Sequence, residues 1–254
     1  MAAGSFLDLD AEDMVRVCAG VDGLSGFGLR LSGEHHLDPD RWAVFSAGVN
    51  AAGLEVFDLE VHRIGSPPGP FIATADDLVG AAAAIGARQV LVVAAVADRD
   101  LVERELARIV GAATERGIGV GLEYMAWTMP SFVDDARYLA HATGCTVVVD
   151  VLHHSRIGAT AADILRIVQD GTLGWVQMCD AGERSEPLVH EARHLRMPPG
   201  SGRLPLEELL SAVPPSTTFS IEVQSDELSA VEPETRARLL MSASRSVLGR
   251  VFSW

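Results

Sequence analysis

"CTVVVDVLHHSRIGATAADILRIVQDGTLGWVQMCDA", residues 145–181, reads as strand, helix and strand in succession. "CTVVVDVLH" (145–153) and "LGWVQMC" (173–179) are short runs rich in β-branched and other apolar residues, the composition of buried strands. Between them "TAADILRIVQDG" (160–171) starts at Thr160, a capping residue, and stops at Gly171, a terminator. Two strands joined by a helix of this length form a parallel pair. Each strand also carries a polar residue near its end, Asp150 in the first and Gln177 in the second.

The same scheme extends in both directions. Further strand candidates are 4–9, "FGLRLSG" (27–33), "LEVFDLEVH" (54–62), "QVLVVAAV" (89–96), "GVGLEYM" (119–125) and "TFSIEVQS" (218–225). Residues 98–117 and 131–144 have helical spacing with acidic starts and glycine ends. Eight strands alternating with eight helices, without a linker or a composition break, predict one α/β domain over residues 1–254. Such alternation closes either as a (β/α)8 TIM barrel or as an open doubly wound sheet. The length of 254 residues suits the barrel, and no GxGxxG follows the first strand, so the barrel is the expected fold. Residues 182–203, "GERSEPLVHEARHLRMPPGSGR", follow the seventh strand and are expected as a long loop at the C-terminal mouth, where loops bind or cover ligands.

Composition excludes several classes. The net charge of -15 is spread along the chain, which disfavours nucleic acid and anionic membrane as partners. Three unclustered cysteines make neither a disulfide framework nor a structural zinc site. No secretory leader is recognisable and no apolar run is long enough to span a bilayer, so a soluble cytoplasmic protein is expected. All 20 basic residues are arginine, which rules out Schiff-base lysine chemistry.

The active sites of (β/α)8 enzymes are built at the C-terminal ends of their strands. Those ends here carry Glu123, Asp150, Gln177 and Glu222. The first three lie 27 residues apart (123, 150, 177), one βα unit each, and the longer step to 222 contains the long loop. Period-2 alternation turns Glu222 inward, opposite to Ile221 and Val223, and places Asp58, Glu60, His62 and Arg30 on the inner face, with Phe57, Leu59 and Val61 outward. Three carboxylates converging in one mouth require protonation or a cation. Glu, Asp, Gln and Glu supply only oxygen donors, which suits Mg2+ or Mn2+.

These residues resemble the sugar phosphate isomerase/epimerase family of xylose isomerase-like TIM barrels, over about residues 20 to 225. The features that carry the resemblance are "GLEY", "VVVDVLHHSRIG", "VQMCDA", "EARHLRMPPGSG" and "FSIEV". It implies one divalent metal, Mn2+ or Mg2+ with Co2+ as a variant, held by Glu123, Asp150, Gln177 and Glu222. Glu123 and Glu222 would act as the acid/base pair, moving a proton next to the carbonyl of a small polyhydroxylated ketone or keto acid through an enediolate. His153, in D-x-x-H, and Arg196, before "MPPGSG", resemble the substrate-binding residues of the family, while Glu60 and Arg30 are further candidates for substrate contact. Relatives form homodimers or homotetramers. The departure is Gln177, where the epimerases carry histidine. The 3-dehydroshikimate dehydratases of the superfamily carry glutamine there, so elimination of water is the alternative to isomerisation. A catalytically silent barrel is a third reading. The nuclease branch does not fit an acidic chain whose strand ends carry only one histidine of that kind.

Weaker signals read as structure. His35 and His36 sit in a polar loop, His154 reads as an exposed loop residue, and Cys179 as a packing thiol. Asp180 either supports a ligand or caps its loop, and "PPGSG" offers backbone N–H groups to a phosphate.

Overall fold

The computed structural model describes residues 1–30, 39–66 and 74–252. Parallel strands β1 (Gly26–Arg30), β2 (Glu55–Ile64), β3 (Gln89–Ala94), β4 (Gly119–Glu123), β5 (Thr146–Asp150), β6 (Leu173–Met178) and β7 (Phe219–Ile221) form one sheet in sequence order. The helices among the described residues are α1 (Ala11–Ala19), α2 (Pro39–Ala51), α3 (Ala75–Ile85), α4 (Arg99–Thr114), α5 (Val133–Thr143), α6 (Val151–Arg156), α7 (Ala161–Gln169), α8 (Leu188–His194), α9 (Leu206–Ser211), α10 (Asp226–Ser229) and α11 (Pro233–Val251). Strands and helices alternate around a nearly closed TIM barrel. None of these helices is long and apolar enough to cross a membrane.

The seam between β7 and β1 is bridged by the first residues of the chain. Ala2 N donates to Ile221 O at 2.9 Å and Gly28 N donates to Met1 O at 2.8 Å. The strand expected over residues 4–9 is therefore not there, and Ala3–Phe6 forms a 3-10 turn. The Ser5 hydroxyl explains the turn. It donates to Ile221 O and accepts from Val223 N, replacing ladder bonds that a strand would have made with its backbone.

Local chemistry sets the helix ends. Thr74 and Thr160 make capping boxes with Asp77 and Asp163, Asp98 caps α4, and Gly86 and Gly144 end their helices in left-handed conformation. The fifth barrel strand is shorter than 145–153, because the Asp150 carboxylate accepts from Leu152 N and His153 N and starts α6 at once. His153 thus sits on a helical turn. The stretch 182–203 is not all loop either: it contains α8, tied to α6 by the part-buried Arg156–Glu191 pair at 2.6 Å.

Inside the barrel, Phe57, Leu91, Val148 and Trp175 form a small apolar floor separate from the larger core between strands and helices. Gly121 makes room for it: a Cβ there would lie 2.1 Å from Trp175 Cη2. Phe57 belongs to this floor, against the outward orientation expected from alternation. The β1–β2 register shifts between Phe27 and Leu29, so Phe57 and Asp58 together oppose Gly28. A second shift lies between Leu59 and His62.

Candidate active site

Four polar residues stand above that floor: Glu123 at the end of β4, Asp150 at the end of β5, Gln177 in β6 and Glu222 just past β7. All four are buried. Glu123 registers with Val148, Asp150 with Gln177, and Gln177 with Ser220. The row therefore climbs two residues from β4 to β5, none to β6, and two more to Glu222. Barrel strands are staggered in this way, so the four remain in one layer around the axis. Glu123, Asp150 and His153 bring one ligand atom each within 4.8 Å of one another, a group able to hold a divalent cation.

Arg196 dominates the electrostatics. It is 3% exposed, and its Nη1 lies 2.5 Å from Asp150 Oδ2 and 3.2 Å from Glu222 O. Its Nε donates to Ala192 O at the end of α8. Burial would raise the Asp150 carboxyl, but the charge of Arg196, with help from His153 and backbone N–H donors, outweighs it and holds Asp150 below its ordinary value. Glu123 is pushed well up, first by burial and then by Glu222 and Asp150. Burial, reinforced by Glu60 and Asp150, raises Glu222 to about 7 despite the opposing charge of Arg196. Burial also lowers His153 to about 4, so its imidazole is neutral. Arg196 Nη2 can only donate, so at 3.4 Å it fixes His153 Nε2 as an acceptor; the same nitrogen lies 3.5 Å from Glu123 Oε1.

Glu222 lies outside the three-residue group of Glu123, Asp150 and His153, yet the mouth holds further buried acceptors. Gln177 Oε1 and Glu222 Oε2 are buried oxygens without a hydrogen-bond partner among the described residues. Orphaned acceptors at this depth are costly unless a ligand satisfies them. Asp150 has less to give, since one oxygen caps α6 and the other meets Arg196.

The opposite wall is built by β1 and β2. Arg30 Nη2 pairs with buried Glu60 at 3.1 Å, beside buried Asp58. His62, expected inward, registers with Val92 of the outer core, whereas Arg63 registers with Val93. Val93 and Arg63 both line the mouth cavity of about 60 Å³, together with Arg30, Glu60, Arg193 and Trp127. Arg63, Arg193 and Trp127 were not legible as site residues. The shift in β2 hides Arg63 from any count by twos, and the other two lie outside the strands.

Other expectations resolve as structure. His154 is buried, with Tyr124 Oη 2.6 Å from its Nδ1 and Thr160 O 2.9 Å from its Nε2, which corrects the exposed-loop reading. Asp180 caps the loop that follows: it accepts from Ala181, Gly200 and Leu204 N–H. Ser201 N and Arg203 N donate to Pro198 O and Ala181 O. Two of the "PPGSG" donors, Gly200 N and Ser201 N, are thus spent inside the protein. Gly202 permits the close packing, for a Cβ there would sit 2.3 Å from Ala181 O. Cys179 is buried against Arg196 at 3.6 Å, and burial raises its thiol. His35 and His36 lie outside the described residues.

A family model described as xylose isomerase-like TIM barrel matches residues 11–246. No curated protein sequence matches the chain. Among solved structures, the IOLI protein with a bound zinc atom superposes with a TM-score of 0.81 at 14% identity, covering 100% of this chain and 99% of that one. A D-psicose 3-epimerase from Clostridium cellulolyticum H10 gives 0.72 at 13% identity, covering 94% of each chain. The probable 3-DHS dehydratase AsbF from Bacillus anthracis gives 0.75 at 15% identity, covering 95% of this chain and 97% of that one. The chain spans 42% of the length of a xylose isomerase-like TIM barrel/4-hydroxyphenylpyruvate dioxygenase fusion protein, with 99% of its own residues aligned, a TM-score of 0.77 and 18% identity. At these identities the likeness establishes the fold.

Proposed function

We propose a reaction for a chain that belongs to the xylose isomerase-like TIM barrel family: metal-dependent proton transfer beside the carbonyl of a small hydroxyketone, giving isomerisation or epimerisation. The observation that carries it is the buried ring of Glu123, Asp150, Gln177 and Glu222, in which Gln177 Oε1 and Glu222 Oε2 have no partner among the described residues.

These four residues would hold one divalent cation, with His153 alongside, and that cation would polarise the carbonyl and acidify the neighbouring C–H. Mn2+ or Mg2+ suits the oxygen donors, and an imidazole in the group also admits Co2+. Glu222, raised to about 7, can take up and return a proton near neutral pH. Glu123, on a different strand of the same layer, is the matching acid/base group. His153 is neutral and contributes a lone pair rather than a charge. Arg196 holds Asp150 ionised and supplies positive charge where negative charge would develop on the substrate oxygen. Glu60 and Arg30 form the far wall, placed to contact the rest of the substrate.

Gln177 favours a second reading, dehydration of the 3-dehydroshikimate type. The amide stands where the epimerases carry histidine, and the reaction begins with the same proton abstraction. The test is a screen in D2O with Mn2+, comparing free ketoses with 3-dehydroshikimate. The first reading predicts solvent deuterium at the substrate C–H, and the second an aromatic catechol absorbance. Glu222→Gln should abolish both while the far-UV spectrum stays unchanged. Full exchange in that variant would overturn the role of Glu222.

A further inference from the structure

The mouth carries more arginine than its ion pairs use. On a chain with 35 carboxylates and 20 basic residues, an arginine has acidic partners in excess. Arg30 is paired with Glu60 and Arg196 with Asp150. Arg63 and Arg193 line the same cavity and have no ion-pair partner among the described residues. They come from separate elements, Arg63 from β2 and Arg193 from α8, and line the same cavity as Arg30. Like charges are brought together here at a cost. Burial lowers the Arg63 guanidinium below its ordinary value, and the charges of Arg30 and Arg193 lower it further.

Arg193 is exposed and could turn to solvent, and Arg63 occupies an inward position only because of the register shift between Leu59 and His62. The same cavity is also lined by apolar side chains, Val61, Val93, Met125 and Trp127.

We propose that Arg63 and Arg193, beside Arg30, form an anion subsite, and that the substrate is a hydroxyketone carrying a carboxylate or phosphate. Its anionic end docks on the guanidinium forks while its carbonyl end faces Glu123, His153 and Glu222. Guanidinium binds both anions through paired N–H donors, so the subsite chemistry is shared by a keto acid and a ketose phosphate. The assignment of the carbonyl end rests on the proton-transfer reading given above; the anion subsite itself does not.

The experiment is calorimetric titration of the full-length protein with inorganic phosphate and, separately, with propionate, followed by the same titrations of Arg63→Gln, Arg193→Gln and the double variant. Mn2+ titration of each protein runs in parallel. The subsite predicts saturable binding of at least one anion to wild type, weakened roughly tenfold by each substitution and lost in the double variant, with Mn2+ binding unchanged. Tighter phosphate identifies a phosphorylated substrate, and tighter propionate a keto acid. Arg193 lies at the surface, so Arg193→Gln reports even if Arg63→Gln folds poorly, and Arg63→Lys should retain part of the affinity. Failure of both anions to bind, or equal binding in the double variant, overturns the subsite. Anion binding without Mn2+ binding would instead leave the subsite standing and remove the metal-dependent reaction.

Discussion

Arg196→Met removes the guanidinium that neutralises Asp150 and leaves a fully buried carboxylate with its two backbone N–H donors alone. Breaking a buried pair by deleting one partner costs about 3–5 kcal/mol. In a chain of this length each kcal/mol lowers Tm by about 2–4 °C, so the variant should melt about 6–20 °C below wild type at pH 7.5. The sign with pH follows from the shifts. In wild type Asp150 is held below its ordinary value, so its contribution is complete at neutral pH and is lost only as the pH falls through that depressed value. Without Arg196, burial raises Asp150 above its unfolded value, and the deficit shrinks as acid protonates it. Glu123 and Glu222, which Arg196 also lowers, move in the same direction. Differential scanning fluorimetry from pH 4.5 to 8 should therefore show two Tm curves converging toward acid. Saturating Mn2+ at pH 7.5 should restore part of the loss, since a cation can replace the missing charge. Parallel curves separated by less than about 2 °C would refute Arg196 as the counterion of Asp150.

Two further predictions concern the floor and the acidic ring. Gly121→Ala places a methyl group 2.1 Å from Trp175 Cη2, so it should cost about 1–3 kcal/mol by overpacking and quench or shift the Trp175 fluorescence. Burial raises Glu222 from 4.5 to about 7, so the folded protein holds this proton more tightly than the unfolded chain does. With EDTA present, stability should fall by about 3 kcal/mol as the pH rises from 4.5 to 7, and denaturant melts of Glu222→Gln should lack that part of the slope.

The α/β alternation was readable because each unit is written locally. Val147–Val149 is an apolar run, Trp175, Val176 and Met178 surround the lone amide of Gln177, and Thr160, Asp98 and Gly144 cap the helices as their types suggest. The acidic ring was readable for the same reason, since one residue per strand end repeats at the length of the βα unit. What escaped depends on contacts between distant segments. Two register shifts in β2 turned Phe57 and Arg63 inward, and counting by twos has no means of seeing a shift. Residues 4–9 carry a strand-like composition, yet Ser5 spends its hydroxyl on Ile221 and Val223, more than 200 residues away. His154 reads as a loop histidine beside His153 until Tyr124 and Thr160 are brought to its two nitrogens. The Arg196–Asp150 pair spans 46 residues, and no local pattern announces it.

Mn2+ titration of EDTA-treated protein, followed by electron paramagnetic resonance, reads directly whether the buried ring holds a cation. Wild type should bind one Mn2+ per chain, with affinity falling as the pH drops below about 7 because the ring carboxylates must be ionised to bind it. Gln177→Ala and Glu222→Ala should each weaken binding at least tenfold. Absence of a bound ion at millimolar Mn2+, or equal affinity in wild type and both variants, would contradict the site.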